Sequence, residues 1–170
     1  EINLSMYDFS QGYAALKSGD TDKARDAMQS LKELTETTTA RFRFHDGKDI
    51  VGALAGILEG EIAWTEGNIE AAADAFRLAT HYYDKLNYDE PEPLPFSPRH
   101  WLGAAYMELQ AYDNALEVYR RDLSEHPHNI WSLFGIQQAL AMIGESDPVI
   151  DKDLFEALSY ADIWMLNTKY

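Results

Sequence analysis

Residues 102–106 read Leu-Gly-Ala-Ala-Tyr, and Ala115, Tyr119 and Pro127 follow them at fixed distances. Each of these residue types suits a pair of helices joined by a short turn. A glycine in the first helix lets the second helix approach closely, and an alanine in the second helix fits the tightest contact. A proline, which has no backbone N–H, ends the second helix. The stretch therefore predicts a helix–turn–helix unit at about residues 97–127.

This order of residues resembles the tetratricopeptide (TPR) pattern, a helix–turn–helix repeat of about 34 residues. A glycine or its substitute recurs at the turn between paired helices, at Gly19, Gly67, Gln110 and Gly144. The second-helix alanine recurs at Ala24, Ala72 and Ala115, with a bulky residue four positions later at Met28, Phe76 and Tyr119. We therefore predict an all-α fold, a right-handed α-α superhelix of about eight helices in four helix-turn-helix units.

We expect one TPR-like domain over residues 1–170, with units at about 3–40, 48–87, 97–127 and 129–166. The first three turn positions are spaced by more than about 34 residues, which places insertions at about 39–47 and 88–97. The prolines of the second insertion disfavour a helix and favour an extended loop. No run alternates long enough to predict a strand. The predicted helices lie near 3–18, 21–38, 48–66, 69–86, 98–109, 112–125, 129–143 and 148–166.

The composition is that of a chain able to bury a core, with 170 residues of which 46% are hydrophobic. The sequence contains no cysteine, which excludes disulfides and cysteine-based metal or redox chemistry. No run approaches the roughly 18 apolar residues of a membrane span, and no signal peptide is visible. Because the chain begins at Glu1 rather than Met, we expect that a preceding segment was removed or left out.

The formal net charge of −15 marks an acidic protein. Nucleic acid is not expected as a partner, because phosphate binding requires a basic face. An acidic membrane surface is disfavoured for the same reason. The charge either attracts a basic partner or only keeps the surface solvated, and the sequence leaves both interpretations open.

The second half of the chain carries a more specific resemblance. It is similar to the C-terminal part of large bacterial tetratricopeptide-repeat proteins of unassigned function. That resemblance implies further helical repeats before this segment and an exported, periplasmic location; otherwise the cytoplasm is expected. It supplies no catalytic residues. The matching stretches are Tyr88-Asp89-Glu90-Pro91, Pro98-Arg99, Leu102-Gly103-Ala104-Ala105, residues 119–123, 126–129 and 131–140.

The repeat family also implies which residues line the concave surface, because certain first-helix positions do so. These positions are rich in aromatic residues and Met and have almost no Lys or Arg. Such a face suits an apolar or amphipathic partner segment. The alternative is that the same side chains bury against neighbouring helices or against preceding repeats. The predicted partner-binding residues of this face are Phe9, Tyr13, Trp64, His100, Met107, Trp131, Phe134 and Gln138.

The proline-rich insertion is a second candidate for recognition, because long ordered loops in compact domains are often functional. Tyr88, Asp89 and Glu90 lie in this loop, and Arg99 lies where the loop re-enters a helix. We expect these four residues to contribute to recognition. The loop carboxylates are otherwise interpreted as an acid–base or cation-binding group, or as simply solvated side chains.

Two further clusters have a chemical and a structural interpretation. His126 and His128 are either metal ligands or polar flanks of a helix end. The stretch 45–49 faintly resembles a calcium loop but lacks its spacing, which favours a turn. The common catalytic and nucleotide-binding motifs are absent together. We therefore expect no catalysis, no cofactor and no metal.

The sequence as a whole favours a non-catalytic protein–protein interaction or scaffold module. The expected partner is a basic or amphipathic protein or peptide, and an oligomer or larger complex is compatible with this function. Two alternatives remain open. One is a structural subunit whose groove is permanently filled by other chains or missing repeats, and the other is a helical accessory domain of a larger enzyme.

Overall fold

The computed structural model describes residues 1–161, 165 and 167–169, and within them the fold is of the all-α class, with one short hairpin between helices. The fold confirms the predicted class, while the handedness of the superhelix stays a prediction. The described residues form eight helices: α1 (Ile2–Lys17), α2 (Thr21–Thr37), α3 (Gly47–Thr65), α4 (Ile69–Tyr83), α5 (Arg99–Glu108), α6 (Tyr112–Glu125), α7 (Ile130–Met142) and α8 (Pro148–Ser159).

Side-chain caps explain where several helices begin. Asp20, Asn68, Asn129 and Asp147 each accept a hydrogen bond from a backbone N–H in the first turn of the following helix. The predicted bounds of the first seven helices agree with the structure to within three residues.

The predicted extent of the last helix, to residue 166, is wrong. The backbone N–H groups of Tyr160 and Ala161 bond to the carbonyls three residues earlier, so the last turn of α8 tightens and closes at Ser159. Residues 162–164 and 166 of the predicted helix lie outside the described residues.

The chain divides into two compact units, residues 1–98 and 99–170, which we call the N-terminal unit and the C-terminal unit. In the N-terminal unit α1, α2, α3 and α4 pack side by side in chain order, and α1 also contacts α3. In the C-terminal unit α5 to α8 pack in the same manner, and α5 also contacts α7. The prediction of a single domain stays a prediction.

Small residues bring the paired helices together, as the sequence predicts. Ala24, Ala72 and Ala115 are fully buried. A Cβ atom on Gly60 would lie well inside 3.0 Å of the Phe76 ring, and one on Gly103 would lie equally close to the ring of Tyr119. A side chain at either glycine would therefore force the two helices of its pair apart.

The first insertion contains a short hairpin that the sequence did not predict. β1 (Arg41–Phe42) pairs with β2 (His45–Asp46) in an antiparallel ladder, closed by a turn in which Arg43 has a φ of 54°. Strands of two residues are too short to show an alternating pattern, so the prediction of no strand is wrong here. Among the described residues, no helix has the length and apolar character that crossing a membrane requires.

Candidate protein-binding surfaces

The predicted face of the N-terminal unit consists of Phe9 and Tyr13 on α1 and Trp64 on α3, all half-buried. The rings of Phe9 and Tyr13 lie 5.7 Å apart, one helical turn from each other. Trp64 lies 6.5 Å from the ring of Phe76 on α4. The structure therefore brings Phe9 and Tyr13 together, and part of Trp64 faces its own helical hairpin.

The proline-rich insertion covers part of this face. We call residues 88–98 the strap. Its Leu94 is 0% exposed and belongs to the same apolar core as Leu54 of α3. The ring of Phe96 lies 5.8 Å from that of Phe9. The apolar residues of an otherwise polar, proline-rich loop were the available sequence signal for this contact, because a solvated loop has no need of them.

Asp89 fastens the strap to the hairpin of the first insertion. Its Oδ2 lies 2.6 Å from Nη1 of Arg43 and 3.2 Å from Nε2 of the buried His45. Arg43 also donates to the carbonyl of Pro91, at 3.3 Å. The hydrogen bond from Arg43 is the main reason that the pKa of Asp89 lies below its ordinary value. Asp89 is thus an ionic tie between the two insertions.

The other three predicted recognition residues of the loop lie in different surroundings. Tyr88 is 79% exposed and donates its hydroxyl to the exposed Glu90, and this hydrogen bond raises the pKa of Tyr88. Arg99 is buried at the start of α5 and pairs with Glu125 of α6, with Nη1 and Oε2 3.1 Å apart. Tyr88 and Glu90 are therefore accessible, whereas Asp89 and Arg99 hold parts of their own units together.

An ion pair lies beside the aromatic face of the N-terminal unit. Nζ of Lys17 lies 2.5 Å from Oε2 of the buried Glu61 and 4.8 Å from the centre of the Tyr13 ring. Partial burial alone would lower the pKa of Lys17, but the hydrogen bond and charge of Glu61 outweigh it and raise this pKa. Beside the rings of Phe9 and Tyr13, the N-terminal unit therefore carries a pair of charges that neutralise each other.

The predicted face of the C-terminal unit lies on α5 and α7. Trp131, Phe134 and Gln138 are spaced by three and four residues, so they share one side of α7. Trp131 and Phe134 are half-buried, as is Met107 of α5, and Gln138 is exposed. Met142 continues the row at the end of α7 and is exposed. The structure therefore leaves a row of large side chains accessible along one helix.

His100 supports this face from beneath. It is 1% exposed, and its ring stacks on that of Trp131 at 5.9 Å with an angle of 25° between the planes. Its Nε2 lies 3.2 Å from Oδ2 of Asp122 on α6. A partner on the surface would therefore meet Trp131, while His100 fixes the orientation of the indole.

Asp122 is the polar centre of the C-terminal unit and was missed by sequence reasoning. It is 0% exposed, and it lies 3.2 Å from Nδ1 of His126 and accepts from Oγ of Ser132 at 2.6 Å. Burial alone would raise the pKa of Asp122, but the hydrogen bonds from His100, His126 and Ser132 outweigh it and hold this pKa well below its ordinary value. The carboxylate thus joins α5, α6 and α7.

This cluster does not have the geometry of a nucleophilic triad. A catalytic serine hydroxyl bonds to a histidine that a carboxylate orients, whereas Ser132 donates directly to Asp122. His126 follows α6 as its C-terminal cap, and His128 has a φ of 65°, which fits the interpretation of the His126–His128 stretch as a helix end. Within the described ranges, no group of three or more acidic or histidine side chains is placed to hold a metal ion.

A groove of about 540 Å³ lies between α2 and α4 in the N-terminal unit, with α3 as its floor. Met28 and Leu78 supply apolar surface. Lys32 pairs with Glu59 at 2.9 Å, and Arg25 pairs with Glu66, so ion pairs join α2 to α3 inside the groove. Because these charges already neutralise one another, the groove is a weaker candidate than the aromatic faces.

The tetratricopeptide repeat family matches residues 8–34, which cover the second half of α1 and most of α2. The chain therefore contains a tetratricopeptide repeat, and the matched residues lie within the first helical pair. No curated protein matches the sequence.

Proposed function

We propose that this chain is a non-catalytic protein-interaction module whose C-terminal unit binds an apolar or amphipathic partner segment. The observation that carries the proposal is the division of α7 into two sides. One side fills the core with Leu133, Ile136 and Ala139, and the other presents the row of Trp131, Phe134, Gln138 and Met142. Tetratricopeptide repeats, one of which is matched at residues 8–34, generally mediate protein–protein interactions, which supports an interaction role for the chain.

The chemistry of the row indicates the kind of partner. Aromatic side chains bury a large area at a low cost in side-chain entropy, and Met adapts to different shapes. Central aromatic anchors commonly contribute about 2 kcal/mol or more each to binding. A row of three- and four-residue spacing is matched by a helix whose apolar residues have the same spacing. The net charge of −15 favours a helix with basic flanks.

Site-specific photo-crosslinking tests the proposal. A photoreactive amino acid replaces Gln138 in one variant and the exposed Arg120 of α6 in a matched control. Both variants are exposed to a displayed library of amphipathic helical peptides. We expect crosslinks from position 138 to peptides with apolar residues at helical spacing, and none of these from position 120. Equal labelling from both positions, or crosslinks from position 138 only to a second copy of the chain, would contradict the proposal.

A further inference from the structure

We infer that the α1/α3 face of the N-terminal unit is a second binding site, for an extended peptide with Leu and Phe between prolines, and that the strap is its internal competitor. The inference rests on the proposed function, because it assigns partner binding to this chain. It adds the class of partner and a means of regulation. The strap blocks the α1/α3 face until a partner segment of similar chemistry displaces it.

The first observation is that the strap lies on this face in the manner of a ligand. Pro93 and Leu94 are buried, Pro95 is exposed, and Phe96 is half-buried against Phe9. One side of the segment thus meets the helices while the other meets solvent. Prolines keep such a segment extended before it binds, so little conformational entropy is lost when it docks.

The second observation is that the strap is an addition to the repeat. The four helices of the N-terminal unit form consecutive packed pairs through α1–α2, α2–α3 and α3–α4. Residues 88–98 follow α4 as an insertion in the 34-residue pattern. The side chains that the strap covers, such as Phe9, lie at positions that the repeat family implies for its concave surface. A segment that is not required for helix pairing therefore occupies the surface that repeats of this kind present.

The third observation concerns the polar ties. Asp89 binds Arg43 and His45, and the hydroxyl of Tyr83 donates to Glu92 at 3.2 Å. Arg43 is substantially exposed, so water screens its ion pair in part, whereas Asp89 and His45 are buried. The two apolar anchors, Leu94 and Phe96, are the contacts that a peptide of similar chemistry can replace, and loosening the Arg43 tie should make that replacement easier.

A tethered competitor has a calculable effect on binding. A short linker holds the strap at an effective concentration in the millimolar range. The apparent Kd of a free peptide then increases in inverse proportion to the fraction of molecules whose face is open. A free peptide with the sequence of the strap should therefore bind wild-type protein poorly, and it should bind far better once the tethered anchors are removed.

Fluorescence anisotropy with a labelled peptide of residues 91–97, Pro-Glu-Pro-Leu-Pro-Phe-Ser, tests this inference. We expect the Leu94→Ala/Phe96→Ala double variant to bind the peptide at least tenfold more tightly than wild type does. The Asn87→Ala variant changes an exposed residue just before the strap and should behave like wild type. A peptide with alanine in place of its Leu and Phe should bind none of the proteins.

A second variant covers the case in which the double variant does not fold, as judged by circular dichroism. Arg43→Ala loosens the ionic tie and leaves both apolar anchors in place. We expect faster amide exchange at Phe96 and Ser97 and at least threefold tighter binding of the peptide. The inference is wrong if the double variant folds and binds the peptide no better than wild type does. If the double variant does not fold, the same result for Arg43→Ala contradicts the inference. Binding of an amphipathic helical peptide to the α7 row, which depends on Phe134, would persist in that case. The proposed function would therefore stand on its own.

Discussion

Gln110 and Gly144 adopt the left-handed backbone conformation at the same position of two successive turns between helices. They lie 34 residues apart, and their φ angles are 57° and 77°. Their hydrogen bonds also correspond. In the first turn, the N–H groups of Gln110 and Ala111 donate to the carbonyls of Met107 and Tyr106. In the second, the N–H groups of Gly144 and Glu145 donate to the carbonyls of Ala141 and Leu140. The turn therefore imposes its backbone on residue 110 although that residue has a side chain.

This relationship predicts that Gln110→Gly stabilises the protein. The left-handed conformation costs a residue with a Cβ about 1–2 kcal/mol, and the greater chain entropy of unfolded glycine offsets about 0.5–1 kcal/mol of this. We expect a net gain of about 0.5–1 kcal/mol in the free energy of unfolding, measured by urea denaturation. The matched variant Gly144→Ala should lose about 1 kcal/mol. A loss at Gln110→Gly would contradict the shared turn geometry.

The approach of Gly103 to Tyr119 gives a second prediction. Gly103→Ala places a Cβ inside the ring contact, and overpacking of this kind costs about 1–3 kcal/mol. The better helix propensity of alanine offsets only part of that, so we expect a net loss of about 1–2 kcal/mol in the free energy of unfolding. Asn114→Ala, at an exposed site in α6, should change it by less than about 0.5 kcal/mol.

A double variant shows whether the ring is the cause. Gly103→Ala combined with Tyr119→Leu should lose less stability than the sum of the two single changes, because removing the ring relieves the clash. Tyr119→Phe keeps the ring and removes only the hydroxyl, which lies 2.5 Å from Oγ1 of Thr168. That variant should keep most of the cost of Gly103→Ala, because two ring carbons of Tyr119 lie nearer to the added Cβ than the hydroxyl oxygen does. Strict additivity with Tyr119→Leu would mean that the clash lies elsewhere.

Much of the fold could be predicted because its determinants are local. Gly67 and Asn68 fix a turn and a helix start within two adjacent residues, and Gly60 and Phe76 are 16 positions apart, as are Gly103 and Tyr119. Gln110 shows how far the pattern extends, since the turn keeps its shape without glycine. The family match falls on residues 8–34, whereas the pattern is plainest to the eye at 102–127.

The candidate sites could be predicted only in part, because their contacts join distant segments. His100 has the right position for the concave surface, but only the structure shows that Asp122, 22 residues later, draws it into the interior. Phe9 is likewise at a surface position, and Phe96 covers it from an insertion whose path no repeat rule describes. Sequence spacing sets which side of a helix a residue occupies, and it does not set what another segment places there.

The low pKa of Asp122 predicts a pH dependence of stability. A carboxyl group whose pKa is lower in the folded than in the unfolded state stabilises the protein above its unfolded pKa of about 4, and this contribution is lost as the pH falls below that value. Wild type should therefore lose stability steeply below about pH 4. Asp122→Asn should flatten this acid limb in a series of urea denaturations at different pH.

The same variant has an expected cost at neutral pH. Removing one partner of a buried charged cluster commonly costs about 3–5 kcal/mol, and asparagine keeps part of the hydrogen bonding, so we expect about 2–3 kcal/mol. Asp113→Asn, at an exposed site of α6, is the matched control and should change neither the stability nor the acid limb. An unchanged acid limb in Asp122→Asn would show that another group is responsible for it.

The most direct measurement is the Kd of a peptide selected on the wild-type protein, determined by calorimetric titration of wild type, Phe134→Ala and Arg120→Ala. We expect Phe134→Ala to weaken binding by about 30-fold, which corresponds to about 2 kcal/mol for a central aromatic anchor. Arg120→Ala should stay within about twofold of wild type. A Kd for folded Phe134→Ala that equals the wild-type value would contradict partner binding on the exposed side of α7.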